Sequence, residues 1–363
     1  MDVRIALAGD VMIARGIDQI LRFSVDPELR EPAVRDARDY VRLAEEASGP
    51  IPRNADAAYV WGDLLPVLAG FSPHATIMNV ETSLTTSPTF APDKRIHYRT
   101  HPENAAVIGA IPNPICTLAN NHVLDFGQPG LAETLRSLQA SGIPACGAGQ
   151  IRAEAVQPIV TAPPRIVVLS CCTGDSGVPP DWSADAERPG VYRITRPDDD
   201  AVREIQERFE PFRTDGATKV LSIHWGGNWG YDVELEQRDF AHALMDMGIA
   251  DVVFGHSSHH PRPFELIAGR PVFYGCGDLI NDYEGIRGHE EHRPDLVACF
   301  LLTIDSDTRT LADLRIVPFR LRRFRLEHAG VADAQWLAVR LDRENRRIGG
   351  PLLVARPDGL RIR

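Results

Sequence analysis

Short apolar runs alternate with amphipathic stretches along most of the chain, and this alternation predicts strands separated by helices. Leu131, Leu135 and Leu138 repeat at helical spacing, and Gly142 follows them where a helix would end. Such an order of elements is typical of a layered α/β protein. The predicted strands are 4–8, 75–79, 115–119, 166–170, 219–223, 251–254 and 272–274.

Two segments depart from this pattern. The first, about 23–58, is rich in charge, proline and alanine, and it predicts a helical insertion after the first strand. The second, 318–363, contains eleven arginines against five acidic residues. We expect a catalytic domain over 1–317, and a basic C-terminal strand and helix over 318–363 that pack on the same domain.

Polar side chains follow five of the predicted strands, at the carboxyl edge where α/β sheets collect their ligands. They are Asp10, Glu81, Asn121, His224 and His256. Each one alone has a plainer explanation as a helix cap, turn residue or packing residue, but five in register at strand ends favour a shared site. Carboxylate and amide oxygens with imidazoles suit divalent ions, so the sequence predicts metal binding.

The successive motifs resemble those of the CapA family, which is named for poly-γ-glutamate capsule synthesis and is related to calcineurin-like metallophosphoesterases. The resemblance implies a calcineurin-like fold, a β-sandwich flanked by α-helices in four layers (αββα), with a two-metal site at one edge. It rests on Gly9-Asp10, Asn79-Val80-Glu81, Ala119-Asn120-Asn121-His122, His224-Trp225-Gly226, Gly255-His256-Ser257-Ser258-His259-His260-Pro261 and Tyr274-Gly275-Cys276-Gly277-Asp278-Leu279-Ile280-Asn281-Asp282.

The resemblance also implies roles for these residues around two divalent ions, with Mn, Zn, Fe, Co and Ca as candidates. Asp10 would bind the first ion, and Glu81 would bridge the two. The second histidine of the Gly-His-x-His motif is displaced by one residue, so His259 or His260 could serve, and His259 is favoured. The implied metal ligands are Asp10, Glu81, Asn121, His224, His256 and His259.

For proton transfer, the first candidate is His122 of the Asn-His pair. Asp125 lies three residues further on, where it either orients that imidazole or caps the next helix. His260 and Asp278 are weaker candidates. Arg15, Arg95 and Arg99 are possible receptors for a substrate anion, and Trp225 and Trp229 are possible walls of a pocket.

Three functions use these residues differently. We favour a peptide Cα epimerase that inverts the C-terminal residue of a lasso-peptide precursor through a metal-stabilised enolate. The family includes proteins that resemble such an epimerase, and Met12 stands where metallophosphoesterases carry the histidine of Asp-x-His. The alternatives are a binuclear phosphoesterase and a component of poly-γ-glutamate capsule synthesis. The expected partner is a precursor peptide, and the sequence leaves the oligomeric state open.

Composition narrows the setting of this chemistry. The net charge of −11 argues against nucleic-acid binding, which needs clustered positive charge. The six cysteines are scattered without a CxxC pair, as in a protein of a reducing compartment. No apolar stretch is long enough for a membrane span, and the first strand follows Met1 too closely for a signal peptide. We therefore expect a cytoplasmic protein without a membrane partner.

Overall fold

Twenty strands and nine α-helices are found in the computed structural model, which describes residues 2–363. The strands are β1 (Val3–Val11), β2 (Ala75–Val80), β3 (Ser83–Leu84), β4 (Arg99–Thr100), β5 (Pro114–Thr117), β6 (Ala145–Cys146), β7 (Ala148–Gly149), β8 (Ile159–Val160), β9 (Ile166–Cys172), β10 (Gly190–Val191), β11 (Thr218–His224), β12 (Val252–His256), β13 (Phe264–Ile267), β14 (Arg270–Phe273), β15 (Asp278–Ile280), β16 (Leu296–Ile304), β17 (Leu311–Arg322), β18 (Arg325–His328), β19 (Leu353–Arg356) and β20 (Gly359–Ile362). The helices are α1 (Gly16–Ile20), α2 (Arg38–Ser48), α3 (Leu64–Phe71), α4 (Ala105–Gly109), α5 (Gly127–Ala140), α6 (Arg152–Ala155), α7 (Asp199–Phe209), α8 (Leu235–Asp246) and α9 (Val331–Ile348).

Most strands belong to two sheets. The larger sheet has ten strands, with the order β19-β20-β17-β16-β1-β2-β5-β6; β15 pairs with β1, and β18 pairs with β17. The smaller sheet has six strands in the order β13-β14-β12-β11-β9-β8. In the larger sheet β1, β2 and β5 run parallel, and in the smaller sheet β9, β11 and β12 do so. Antiparallel strands border the parallel strands on one side in the larger sheet and on both sides in the smaller sheet.

Alternating side chains of the central strands explain the layers, because successive residues of a strand point to opposite faces of its sheet. In β1, Ile5 packs in a core that both sheets share, whereas Ala6 packs in a core with the first five helices. In β9, Val168 faces the shared core and Leu169 faces α7 and α8. The order of layers is helix, sheet, sheet, helix, and the expected four-layer fold is confirmed.

All seven strands predicted from the apolar runs are present, and their ends lie within three residues of the predictions. The runs did not reveal that these strands divide between two sheets. They also missed the antiparallel strands β16 and β17, which form the middle of the larger sheet. The spacing of apolar residues indicates which side chains of a strand are buried, but it does not indicate which strand lies beside it.

The segment 23–58 is helical only at α2. Proline lacks an amide proton and disfavours a helical conformation in the residue before it, so Pro27 and Pro32 interrupt any longer helix. Leu29 and Tyr40 instead belong to a small separate core. The segment is therefore mostly irregular chain held down by one helix.

The C-terminal segment continues the sheet. Strand β17 crosses position 318, and β18, β19 and β20 extend the larger sheet beyond it. Leu337 and Leu341 of α9 pack in the core that the two sheets share. The arginines of this segment therefore project from strands and a helix that are part of the main fold.

Among residues 2–363, the helices are too short or too polar to cross a bilayer. All six cysteines are buried and unbridged. The cytoplasmic location itself stays a prediction.

Candidate metal centre

The carboxyl ends of parallel strands from both sheets meet at one edge of the molecule. Asp10 lies near the end of β1, and Glu81 follows β2 directly. His224 and His256 end β11 and β12, and parallel pairing sets these two residues side by side. All four side chains are at most 2% exposed. The fold therefore gathers residues far apart in sequence into one buried cluster.

A close approach of two backbones brings another carboxylate to Asp10. A Cβ atom on Gly9 would lie 1.7 Å from the carbonyl oxygen of Gly277, so only glycine fits there. The amide of Asp10 donates to that same oxygen over 2.9 Å. Asp10 consequently pairs across the sheet with Asp278.

Two groups of potential ligands share Asp10. In each group, one donor atom from each residue lies within 4.8 Å of the others. Asp10, His224 and His256 form the first group, and Asp10, His259 and Asp278 form the second. The carboxylate common to both is that of Asp10, whereas the family resemblance implied Glu81 as the bridge.

Glu81 and Asn121 lie at the margins of these groups. Glu81 Oε2 accepts a hydrogen bond from Asn79 over 3.2 Å, and Asn79 also donates to Asp10 over 2.7 Å. Asn121 Oδ1 is 3.1 Å from His224 Nε2. Asn121 thus contacts His224 of the first group, and Glu81 is linked to Asp10 through Asn79.

The adjacent histidines His259 and His260 point in different directions. His259 Nδ1 is 2.9 Å from Asp278 Oδ1, which places its ring in the second group. His260 Nε2 accepts from the amide of Gly230, and its ring stacks on that of His292 at 4.5 Å. His260 belongs to neither group. Asp278, which the sequence suggested for proton transfer, lies among the potential metal ligands.

His122 stands beside the cluster with Asp125 behind it. His122 Nδ1 is 2.6 Å from Asp125 Oδ2, and His122 Nε2 is 3.7 Å from Glu81 Oε1. Asp125 does not cap α5; its second acceptor contact is with the amide of Tyr98, at 2.6 Å. Of the two roles left open for Asp125, the geometry favours orientation of the imidazole.

Lys94 completes this arrangement, although no sequence motif pointed to it. Its ammonium contacts Asp125 and the carbonyl oxygen of Asn121, and it lies 3.1 Å from His122 Nδ1. Burial lowers the pKa of Lys94. Burial alone would raise the pKa of Asp125, but His122 and Lys94 together hold it below its usual value. Asp125 is therefore an ionised carboxylate shared between a lysine and a histidine.

Burial changes the protonation of the cluster. Burial, and next the neighbouring Asp278, raise the pKa of Asp10 to about 7. Burial and then Asp10 raise the pKa of Glu81 well above its usual value. In contrast, burial lowers the pKa of His256 to about 3 and that of His224 well below its usual range. Both imidazoles are neutral at pH 7, as a metal ligand must be.

The residues present fit divalent cations. The carboxylates of Asp10, Glu81 and Asp278 are buried together, and no lysine or arginine among residues 2–363 forms an ion pair with them. Like charges at such a distance repel unless a cation or protons compensate them. Imidazole and carboxylate donors together suit Zn, Mn, Fe or Co.

Met12 has an apolar environment instead of a ligand role. Its side chain is buried with Ala14 and Tyr98, and the hydroxyl of Tyr283 lies 3.8 Å from its sulfur. The Tyr98 and Tyr283 hydroxyls are 2.8 Å apart. The imidazole that Asp-x-His would supply is therefore replaced by a thioether and two phenols.

A cavity of about 290 Å³ opens beside the cluster, and His122 and His259 are both in its wall. Trp229 also lines it, whereas Trp225 is buried in the outer core of the smaller sheet. Arg15 reaches the wall as well. Of the residues predicted for catalysis, this space gives access to His122.

The other two arginines proposed as anion receptors do not line this cavity. Arg99 donates to the backbone carbonyls of Ser87 and Asp26, which is a structural role. Arg95 is exposed. Of the three arginines singled out in the sequence, the structure therefore places Arg15 alone beside the cluster.

The stacked sheets and the buried carboxylate–imidazole cluster define a class: layered α/β proteins with a candidate two-metal centre. Residues 4–283 match the family described as bacterial capsule synthesis protein PGA_cap. That match covers most of the chain, so the protein belongs to this family. The family predicted from the CapA-type motifs is confirmed.

Two proteins of similar sequence are named for polymer synthesis, and one solved structure that aligns with this chain is named as a phosphoesterase. The probable polyglutamine synthesis accessory protein of Mycobacterium tuberculosis (strain H37Rv) is 42% identical over 362 residues, which are 99% of this chain and 95% of that protein. The PGA biosynthesis protein CapA of Bacillus subtilis (strain 168) is 27% identical over 194 residues, 52% of this chain and 48% of that protein. The crystal structure of the calcineurin-like phosphoesterase YfkN from Bacillus subtilis aligns with a TM-score of 0.46 and 11% identity, over 96% of this chain and 98% of that one.

Proposed function

We propose that this chain is a divalent-metal-dependent hydrolase that takes part in the synthesis of a glutamine- or glutamate-containing polymer. The observation that carries the reaction is the pair of His122 and Asp125 beside a buried cluster of carboxylates and imidazoles. The names of the two biosynthetic relatives support the polymer.

In this proposal the two groups of potential ligands would hold two divalent ions, and Asp10 belongs to both groups. Bound ions would polarise the bond to be broken and stabilise the negative charge that develops there. Glu81 adds a further carboxylate at the margin of the cluster. The residues proposed to hold the ions are Asp10, Asn121, His224 and His256 for one, and Asp10, His259 and Asp278 for the other.

His122 is proposed to move the proton. Burial lowers the pKa of His122 to about 4, so its imidazole is neutral at pH 7. The ionised Asp125 accepts from Nδ1, which leaves a lone pair on Nε2 that faces the cluster. Nε2 can therefore take a proton from the attacking water and return it to the leaving group. Lys94 and Asp125 hold the ring in the orientation that this exchange needs.

Peptide Cα epimerisation is the second candidate, and one observation favours it. Epimerisation needs proton carriers that approach one carbon from two sides. His122 and Tyr283 both line the cavity, and the hydroxyl of Tyr283 is 3.5 Å from His259 Nε2. Neither of the two biosynthetic relatives is named as an epimerase. Hydrolysis stands first because it needs one proton carrier beside the cluster, and His122 with Asp125 supplies it.

One experiment separates these reactions. The chain is loaded with Mn²⁺ or Zn²⁺ and incubated in D₂O with p-nitrophenyl phosphate, a γ-linked glutamate oligomer or a glutamine-containing peptide. Released nitrophenol indicates phosphoester hydrolysis, and shortened products indicate amide hydrolysis. Deuterium at one Cα of an intact peptide indicates epimerisation instead. A fully loaded protein that cleaves none of the probes contradicts the hydrolase.

A histidine variant tests the proton transfer. His122→Gln should lower kcat by about a hundredfold to ten-thousandfold, the usual contribution of a general acid or base, and leave the metal content unchanged. His328→Gln is the matched control, because this histidine is exposed and its ring stacks on Phe319, which belongs to neither group of potential ligands. Equal activities of the two variants would remove His122 from the mechanism.

A further inference from the structure

The cavity beside the cluster has an unusual charge for an acidic protein. The whole chain carries a net charge of −11, yet among the described residues 2–363 no aspartate or glutamate lines this cavity. Its permanently charged residues are Arg15 and Arg287, and three imidazoles also line it, those of His259, His289 and His122, which is neutral at pH 7. A neighbouring cavity of about 610 Å³ is balanced, because three arginines there face three acids. Over the described part of the chain, the wall of the smaller cavity thus carries basic residues without acidic ones.

The two arginines of the cavity differ in what they contact. The guanidinium of Arg15 is buried and forms ion pairs with Asp282 and Glu31, so its charge is already compensated. Arg287 is exposed at the cavity and has no ion pair within 4.0 Å among the described residues. Arg287 is therefore the cation that remains available to an incoming anion.

The rest of the wall is mainly apolar and aromatic, and among residues 2–363 Asn228 is its one amide side chain. Ile96, Tyr98, Trp229, Tyr283 and Ile286 line it, and Trp229 is held in place by His289, whose ring stacks on it at 3.9 Å. Rings and branched aliphatic chains favour a methylene stem and offer few hydrogen bonds. A side chain that combines a short methylene stem with one carboxylate matches this combination of an apolar wall and an exposed arginine.

We infer that this cavity binds one acidic residue of the substrate. The carboxylate of that residue contacts Arg287, its short aliphatic stem lies on the aromatic wall, and the reacting bond reaches His122. The placement of the reacting bond rests on the proposed function, whereas the binding of the acid does not. Arg287 is then the residue that determines specificity for a carboxylate.

Calorimetric titration of the full chain tests this inference. The probes are the α-amides of N-acetylglutamate and N-acetylglutamine, called by those two names below, and phenyl phosphate. The amidated N-acetylglutamine has the same shape as the acid and no carboxylate. Each is titrated into metal-free protein, because bound ions would attract any anion. N-acetylglutamate should bind about tenfold more tightly than N-acetylglutamine, the usual effect of one charge-assisted hydrogen bond. Phenyl phosphate should bind more weakly than N-acetylglutamate.

Two variants locate the effect. Arg287→Ala should abolish the preference for the acid and leave the affinity for N-acetylglutamine unchanged. Arg346→Ala is the matched control, since this arginine of α9 is also exposed and lines none of these cavities. Equal loss in both variants, or equal affinity of wild-type protein for the acid and the amide, would overturn the inference.

The outcome can be told apart from that of the hydrolase test. Preference for the acid without turnover of any probe would retain the binding site and reject the proposed reaction. Turnover by a protein that binds the acid and the amide equally would retain the proposed reaction and reject the binding site. Tighter binding of phenyl phosphate than of N-acetylglutamate would overturn the assignment to a carboxylate.

Discussion

The two groups that share Asp10 are built from different side chains. In the first group, His224 and His256 lie on adjacent strands, and burial lowers the pKa of both imidazoles. In the second group, burial would lower the pKa of His259, but Asp278 outweighs it and the pKa is raised. Apart from Asp10, which belongs to both groups, an ion entering the first group meets two neutral imidazoles, whereas an ion entering the second must also displace a proton from His259. One cluster therefore offers two unequal sites.

Asp10→Asn should produce the largest effect, because it removes the charged donor common to both groups. We expect both ions to be lost and turnover to fall below detection. Measurement of the metal content by elemental analysis after gel filtration checks this. The metal-free variant should melt at a higher temperature than wild type at pH 8, because burial and Asp278 disfavour the ionised Asp10 there. Asp313→Asn, at an exposed ion pair, is the control.

Single histidine variants should separate the two groups. His256→Ala should remove the ion of the first group, and His259→Ala should remove that of the second, so each variant keeps about half of the wild-type metal content. Titration with Mn²⁺, followed by electron paramagnetic resonance, counts the ions that remain. Loss of both ions in either variant would show that the groups act as a unit and are not independent.

The pH dependence of metal binding should also differ between the groups. Asp10 is protonated below about pH 7, and His259 retains its proton over a wider range than an ordinary histidine. For each proton that the second ion displaces, its affinity should therefore fall about tenfold per pH unit below pH 7. The first ion should depend less steeply on pH, since it displaces only the proton of Asp10. Calorimetry in two buffers with different ionisation enthalpies measures the protons released.

Met12→His should give the smallest effect. It restores an imidazole beside Asp10, and we expect the second ion to bind up to about tenfold more tightly. The gain is limited because Tyr98 and Tyr283 now pack around the thioether. Met12→Leu conserves the volume and should leave metal binding unchanged. A weaker affinity in the histidine variant would mean that this position serves only to pack the small core with Ala14 and Tyr98.

Sequence patterns predicted much of this cluster because its residues stand at the ends of strongly apolar strands. Asp10, Glu81, His224 and His256 each follow or end such a strand, so a correct set of strands already brings them to one edge. Lys94 lies in an irregular loop that carries no such signal, and its contacts depend on how that loop folds back over Asp125.

The sequence by itself determined the parallel strands, the family and most members of the cluster, because burial and strand ends leave a periodic trace in one dimension. Only the tertiary structure decided which carboxylate is common to both groups, which of His259 and His260 faces them, and that Asp278 joins them. These outcomes depend on the contact of Gly9 with Gly277, which sets β15 against β1. A contact between two backbone segments that are remote in sequence leaves no periodic pattern of apolar residues from which it could be predicted.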